Sequence, residues 1–178
     1  MRYAFGTLVV VGAIVGAGGG ALTQGTTPAK PATHGQAAKP AAAGKMTLVQ
    51  EEKVTWGAVP PGFPAGAQFA VLDGDPSKAG SLFVVALKMP DGYTIAPHWH
   101  PTDEHVEIIS GNFKAGMGDT IDDGKMMTFT SGSYANLPKQ MHHYAKASGP
   151  VEIHVFGMGP FAITYVNPND DPRKKSTH

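Results

Sequence analysis

The sequence predicts an all-β sandwich or barrel, and three observations support this. From Met46 onward, short runs of Val, Ile, Phe and Tyr are divided by turn signals at intervals of about 10 to 20 residues. No window in this part has a convincing helical period of about 3.6 residues, so helices should be few. The chain also contains 23 Gly and 15 Pro among its 178 residues, which argues against an all-helical bundle.

The residues that precede Met46 are predicted to lie outside this domain. Residues 1–23 have the pattern of a secretory signal peptide, with Arg2 followed by an apolar stretch and small residues. An uncleaved membrane anchor is the alternative, because the uncharged stretch of about 20 residues is near the length that spans a bilayer. Residues 24–45 have almost no large apolar side chain and are predicted to be a flexible linker. We therefore expect a periplasmic or secreted protein with no membrane association after signal cleavage.

Within the predicted domain, residues 46–167, two segments have clear strand patterns. The run LFVVALKM, residues 82–89, is apolar on both alternating faces, as expected of a strand between two packed layers. The run VEIHVF, residues 151–156, alternates in hydrophobicity, as expected of a half-buried strand. The tail, residues 168–178, is predicted to be a loop with a basic end.

Composition excludes several classes of function. The chain has no cysteine, so disulfides, thiolate catalysis and Cys-ligated metal sites are excluded, and any metal must be held by His and carboxylate. Overall, 14 basic residues balance 14 acidic ones, but between Met46 and Pro172 there are 14 acidic residues and seven lysines. The predicted domain is therefore acidic. This charge favours cations and argues against nucleic acid as a partner.

Two clusters of histidine are the strongest functional signal in the sequence. They are His98, His100 and His105 in the first cluster and His142 and His143 in the second. In a strand, residues two apart face the same way, so His98 and His100 can project side by side while Trp99 points oppositely. Three imidazoles and a carboxylate would suit one divalent transition metal, which could be Mn, Fe, Ni, Co, Cu or Zn.

The same alternation restricts the choice of carboxylate. If residues 101–103 form a turn and a strand follows, Glu104 lies on the more apolar face of that strand, and His105 and Glu107 lie on the other face. The apolar face is the one that should point into the domain. We therefore expect Glu104 to be an inward ligand and His105 to be a surface residue.

Alternation leaves the remaining histidines undecided. His142 and His143 are neighbours in a strand-like segment, so one of them should point inward, and parity does not say which. His154 could point into the barrel near the metal or be a hydrogen-bonded histidine of the barrel wall.

At these positions the sequence resembles the cupin family. All fixed positions of the first cupin motif are present at the family's spacing, namely Gly92, His98, His100, Glu104 and Gly111. Residues 112–131 separate this motif from a segment that resembles the second one. The resemblance covers residues 56–165, which is most of the chain after the predicted linker.

The second motif is matched with two departures. Gly132, Pro138 and His143 agree with the family pattern. Gln140 stands where cupins usually have Gly, and Ala147 stands where they often have Asn. Because the first departure falls in the turn before His143, it bears on which of the two neighbouring histidines faces inward.

The resemblance implies a double-stranded β-helix, the jelly-roll barrel of cupins, with one divalent metal in its mouth. It implies that His98, His100, Glu104 and His143 are the ligands, with positions left open for water, dioxygen or substrate. In some cupins the metal-binding Glu also accepts a proton, which makes Glu104 a candidate catalytic residue. The segment HWHPTDEH is similar in sequence to exported bacterial single-domain cupins. Resemblance to the family also suggests a homodimer.

The leading functional prediction is an exported, metal-dependent oxidoreductase that acts on a small molecule, such as a dioxygenase. Two alternatives use the same site. One is a non-catalytic module that binds a metal ion or small ligand, since a fold does not imply a reaction. The other is a metal-dependent lyase or isomerase.

Overall fold

The structure, a computed structural model, describes residues 45–174 and is nearly all-β. The predicted signal peptide, residues 1–23, lies outside the described residues, as does the predicted linker apart from Lys45. Within the described part of the chain, no helix is long and apolar enough to cross a membrane. The predicted all-β fold with few helices is confirmed.

Nine strands account for the regular structure between residues 45 and 174. In chain order they are β1 (Gly57–Ala58), β2 (Gln68–Gly74), β3 (Leu82–Met89), β4 (Thr94–Trp99), β5 (Glu104–Met117), β6 (Met127–Thr130), β7 (Tyr134–Leu137), β8 (His143–Met158) and β9 (Thr164–Tyr165). The 3₁₀ helices of this region are Glu51–Lys53, Asp123–Lys125, Pro168–Asp170 and Pro172–Lys174. The run predicted at 82–89 is β3, and the run at 151–156 lies within β8.

All strand pairs are antiparallel, and two long strands organise the sheet. β5 and β8 pair with each other from Glu104 opposite Gly157 to Met117 opposite His143. The other edge of β5 pairs with β7 and then β6, while the other edge of β8 pairs with β4 and then β3. Because each long strand changes its outer partner part-way along, the sheet curls around one core rather than remaining open.

Alternating side chains of the long strands and β3 fill that core. The most buried large residues of these three strands include Phe83, Val85, Leu87, Val106, Ile108, Ile153 and Val155. Burying one such side chain contributes about 1.5–3 kcal/mol, so this inward face supplies most of the driving force for the fold.

One motif glycine is required by close packing between the long strands. Gly111 has φ +83°, and a Cβ at this position would lie 2.2 Å from the carbonyl oxygen of Pro150. The pairing of β5 with β8 is irregular on both sides of Ser110. Glycine is therefore the residue that lets β5 pass this irregular stretch without displacing the partner backbone.

The predicted C-terminal loop is more ordered than its sequence suggests. Its first residues form the two last 3₁₀ helices, and residues 175–178 lie outside the described part. The Arg173 guanidinium lies 2.7 Å from the Asp171 carboxylate and donates a hydrogen bond of 3.2 Å to the carbonyl oxygen of Ile163. The hydrogen bond to Ile163 thus ties the start of the tail to the domain, and the ion pair with Asp171 holds the guanidinium in place.

Candidate metal centre

Three strands place the predicted ligands at one end of the barrel. His98 lies in β4 and His100 directly follows it, whereas Glu104 and His143 are the first residues of β5 and β8. The pairing of β4 with β8 sets His98 opposite His143. Residues separated by up to 45 positions in the chain therefore meet because their strands begin or end at the same rim.

An irregularity in β4 gives His98 its inward direction. The register of β4 against β8 shifts between Ile95 and His98, and both side chains line the same cavity. Strict alternation would place residues three apart on opposite faces. The shift resets the alternation, so that Ile95 packs in the barrel interior and His98 still faces the other predicted ligands.

The four side chains form one buried cluster. His98, His100 and His143 each offer a ligand atom, and these atoms lie within 4.8 Å of one another. One oxygen of Glu104, Oε2, is 3.2 Å from His143 Nε2 and 3.6 Å from His100 Nε2. Each of the four residues is less than a tenth exposed, with His98 and His100 at 3%. The structure thus brings together every residue that the sequence proposed as a ligand.

Hydrogen bonds to the backbone fix the orientation of all three imidazoles. Each Nδ1 is bonded to a carbonyl oxygen, and a carbonyl can only accept, so each Nδ1 carries a proton and a neutral ring presents its lone pair at Nε2. The acceptors for His98, His100 and His143 are the carbonyl oxygens of Ala96, Ala162 and Met141, at 2.8, 2.8 and 3.0 Å. Such outer hydrogen bonds are the usual support of metal-binding histidines.

Burial and mutual charge set the protonation states that metal ligands need. Burial, together with the neighbouring imidazoles, lowers the pKa of His98 to about 3, and burial also lowers the pKa of His100. Burial would raise the pKa of Glu104, but attraction to the imidazoles and the contact with His143 lower it to about 2. At neutral pH the cluster therefore holds a carboxylate and neutral imidazoles at His98 and His100, ready to bind a cation.

Two contacts of the cluster indicate that the donor set fits a divalent metal. His100 Nε2 is buried and has no hydrogen-bond partner. His143 Nε2 lies 3.2 Å from a carboxylate oxygen of Glu104, and this contact is favourable only when a proton or a cation lies between the two atoms. A buried polar atom without a partner is costly, and one cation would satisfy both contacts. The triad of His98, His100 and His143 could thus bind a transition metal.

The structure decides between the two neighbouring histidines of the second cluster. His143 is buried among the other ligands, whereas His142 points away and its Nδ1 lies 2.6 Å from an oxygen of Asp119 at the surface. The inward residue is therefore His143, the position that the cupin resemblance implies.

The other two candidate histidines lie away from the cluster. His105 stacks on Phe156 at the outer surface, and its Nδ1 is 2.6 Å from the hydroxyl of Tyr134. His154 lies opposite Glu107 in the β5–β8 pairing and does not line the cavity, so the predicted placement near the metal is wrong.

The departure at Gln140 leaves the turn intact. Gln140 has φ +64° although it is not glycine, and no other non-glycine residue between 45 and 174 has a positive φ. Its backbone N–H donates a hydrogen bond of 2.9 Å to the carbonyl oxygen of His100. The turn before His143 therefore has the conformation that glycine would favour, and holding Gln140 in the left-handed region has an energetic cost.

The cluster faces a cavity of about 140 Å³ whose other walls are almost entirely apolar. Among the described residues, its lining contains no Lys, Arg, Ser or Thr side chain, and Asn136 is the one polar residue beyond the four predicted ligands. The site is thus polar at one point and hydrophobic elsewhere.

Sequence reasoning missed two aromatic residues of this cavity. Phe63 comes from the Pro- and Gly-rich segment before β2 and packs on Phe161, with ring centroids 6.1 Å apart. Phe161 in turn stacks on the imidazole of His100 at 4.8 Å. The hydroxyl of Tyr165 holds the Phe63 segment by donating to the carbonyl oxygen of Gly62 at 2.7 Å. Phe63 is a large apolar residue inside a turn segment, and this was the one feature of the sequence that could have indicated a place in the cavity.

Comparisons with known proteins agree with this architecture. The profile of a family described as "Domain of unknown function (DUF4437)" matches residues 23–164. No curated protein matches the sequence.

Solved structures of the same fold have low sequence identity to the chain. The polyketide cyclase RemF from Streptomyces resistomycificus is 16% identical, with a TM-score of 0.60 over 75% of this chain and 94% of that one. A candidate acetylacetone dioxygenase from Methylibium petroleiphilum PM1 is 19% identical, with a TM-score of 0.56 over 74% and 88%. The DMSP lyase DddQ from Ruegeria pomeroyi DSS-3 is 20% identical, with a TM-score of 0.50 over 63% and 60%. The predicted cupin jelly-roll barrel is confirmed.

Proposed function

The chain belongs to the DUF4437 family and has the cupin fold, and from that premise we propose that it is a metal-dependent enzyme of small-molecule chemistry, specifically a dioxygenase-like oxidoreductase. The observation that carries this proposal is the donor set at the barrel rim. Three oriented imidazoles and one ionised carboxylate converge in a cavity whose lining is otherwise apolar. Imidazole and carboxylate together are typical ligands of iron in non-haem oxygenases.

His98, His100, Glu104 and His143 would hold the metal. When bound, a divalent transition metal there would supply a Lewis acid for an oxygen-bearing substrate and a route for electrons to dioxygen. The backbone carbonyls that accept from the Nδ1 atoms keep the imidazoles aimed at one point. Apolar walls exclude water, which strengthens electrostatic interactions and protects reactive species.

Glu104 is the proposed proton acceptor of the site. Its carboxylate is ionised, because the neighbouring imidazoles outweigh the effect of burial and lower its pKa to about 2. Among the described cavity-lining residues it is the one carboxylate, so a hydroxyl or an acidic C–H of the substrate would meet no other anionic proton acceptor there. Glu104 can thus serve as a ligand and also receive a proton at Oε1 or Oε2.

A second candidate function, lyase chemistry at the same centre, is supported by the same carboxylate. A base beside a Lewis acid suits removal of a proton next to a carbonyl, with no oxygen consumed. The DMSP lyase and the candidate acetylacetone dioxygenase share the fold with this chain, which makes both reactions compatible with the barrel.

Oxygen uptake and product formation separate these functions. We would load the purified protein with Fe²⁺, add phenols, flavonols or small acids, and record both quantities. A dioxygenase consumes oxygen in proportion to product, a lyase forms product without oxygen, and a binding module forms none. Replacing Glu104 by Gln should lower turnover at least about 100-fold, as expected for a lost general base. Glu107→Gln, on the exposed opposite face of β5, is the matched control and should keep wild-type turnover. Wild-type turnover in Glu104→Gln would remove Glu104 from the chemistry.

Export and dimerisation are also proposals. Residues 1–23 support export through their signal-like pattern, and cell fractionation of the full chain with an intact or a deleted segment tests it. A protein found in the cytoplasm with the segment intact would contradict export.

A further inference from the structure

Beyond Glu104 and Asn136, the side chains that β5, β6 and β7 contribute to the cavity have no group that could bind a second polar centre. This apolar wall includes Phe113 of β5, Phe129 of β6 and Leu137 of β7. Since these side chains offer no hydrogen bond, a ligand that fills the cavity must turn an apolar part toward them.

Charge restricts the ligand further. No Lys or Arg side chain lines the cavity in the described part of the chain, and Glu104 is the one carboxylate in its lining. A carboxylate or phosphate placed away from the metal would lose its water without gaining a cation. Such burial of an unpaired charge is strongly unfavourable. A ligand with several hydroxyl groups would find only Asn136 as a partner.

The entrance to the cavity is also apolar. Met117 and Met127 line the cavity and are 64% and 57% exposed, respectively. Met141, beside the second histidine cluster, lines it as well. Exposed large hydrophobic residues gathered at the rim of a pocket are typical of a binding surface, and thioether side chains adapt to ligands of different shape.

From these features we propose that the site takes a compact molecule with its oxygen donors at one end and an uncharged, apolar remainder. The inference rests on the proposed metal function for the polar end. It adds that the rest of the ligand carries no charge and few hydroxyl groups. The oxygen donors bind among His98, His100, Glu104 and His143, and the apolar part lies against the wall of phenylalanine and leucine.

Two catechols that differ at one substituent test this selectivity. 4-tert-Butylcatechol and 3,4-dihydroxybenzoate share the same pair of oxygen donors, but the first has an apolar tail and the second an anionic one. We would measure both affinities by calorimetry with the Zn²⁺-loaded protein, because zinc does not oxidise catechols. The tert-butyl compound should bind at least about tenfold more tightly, since the carboxylate loses its hydration. Equal affinity, or tighter binding of the benzoate, would overturn the proposal.

A matched pair of lysine substitutions separates the effect of the cavity from that of overall charge. Met127→Lys adds a cation at the rim, whereas Leu82→Lys adds the same charge at a residue that is 58% exposed and outside the cavity. Only Met127→Lys should reduce the preference for the apolar catechol, by roughly threefold or more. An equal shift in both variants, or none in Met127→Lys, would contradict a preference set by the cavity.

Metal-free protein distinguishes failure of this inference from failure of the proposed function. If zinc does not increase the affinity for either catechol, the metal role is wrong. The ratio of the two affinities in metal-free protein then still tests the apolar cavity, because the wall is unchanged. A ratio near one in both forms would reject the inference alone.

Discussion

The two segments that resemble the cupin motifs both contain residues with positive φ, but they differ in which residue types adopt it. In the first, residues 92–111, every fixed position of the motif is present, and the glycines lie where the backbone has positive φ. In the second, Gln140 takes a positive φ without being glycine. The first segment supports the second, since the carbonyl oxygen of His100 and the carboxylate of Asp103 accept from the backbone N–H groups of Gln140 and Lys139. A sequence departure is thus tolerated where tertiary hydrogen bonds hold the backbone.

The largest difference should appear when one glycine from each of the two segments is replaced by alanine. Gly111 and Gly132 both have positive φ, but a Cβ meets backbone at 2.2 Å in Gly111 and no atom within 4 Å in Gly132. Gly111→Ala should lower the free energy of unfolding by about 2–4 kcal/mol, because a backbone clash adds to the strained φ. Gly132→Ala should cost about 1 kcal/mol, from φ alone. Urea unfolding measures both, and equal losses would contradict the role of the contact with Pro150.

Lowering the pH should reduce the free energy of unfolding of the metal-free protein, through the buried cluster where the two segments meet. His98 takes up a proton near pH 6.5 when unfolded but only at about 3 when folded, so the unfolded state binds more protons and stability falls as pH falls. Glu104, lowered from 4.5 to about 2, acts in the same direction at lower pH. Between pH 6.5 and 4.5 the free energy of unfolding should fall by about 2–3 kcal/mol, at ~1.4 kcal/mol for each unit.

Urea unfolding of chelator-treated protein at a series of pH values would measure this loss. His98→Ala should have a shallower dependence, whereas His142→Ala, which changes a surface residue, should follow the wild type. A wild-type profile that is flat over this range would contradict the neutral, buried state assigned to His98.

The smallest effect should come from relieving the strained residue of the second segment. Gln140→Gly should raise the free energy of unfolding by about 0.5–1 kcal/mol, because glycine adopts a positive φ at no steric cost. Gln140→Ala keeps the steric cost and should give no gain. If thermal unfolding places the glycine variant no higher than the alanine variant, Gln140 is not strained.

Local periodicity predicted much of this molecule. Alternation along β5 placed Glu104 inward and His105 outward before any tertiary contact was known, because the two faces of a strand are set by the backbone alone. The spacing of glycines and ligands in residues 92–111 then indicated the cupin fold. These features depend on neighbours in the chain and are therefore visible in the sequence.

Features that arise from distant contacts were not visible. The shift in β4 before His98 depends on how β4 pairs with β8. The carbonyl that orients His100 belongs to Ala162, 62 residues away. Phe63 enters the cavity because Tyr165 holds its segment from the far end of the chain. Periodicity contains no information about such partners, so the inward residue of the pair His142 and His143 also stayed open.

Metal content measured after loading and gel filtration tests the central claim most directly. We would compare the wild type with a His98→Ala, His100→Ala double variant, using a His105→Ala, His142→Ala double variant as a control that also loses two imidazoles. The wild type and the control should retain about one divalent metal ion per chain, and the first double variant should retain almost none. Equal metal in all three proteins would contradict the assignment of this cluster as a metal site.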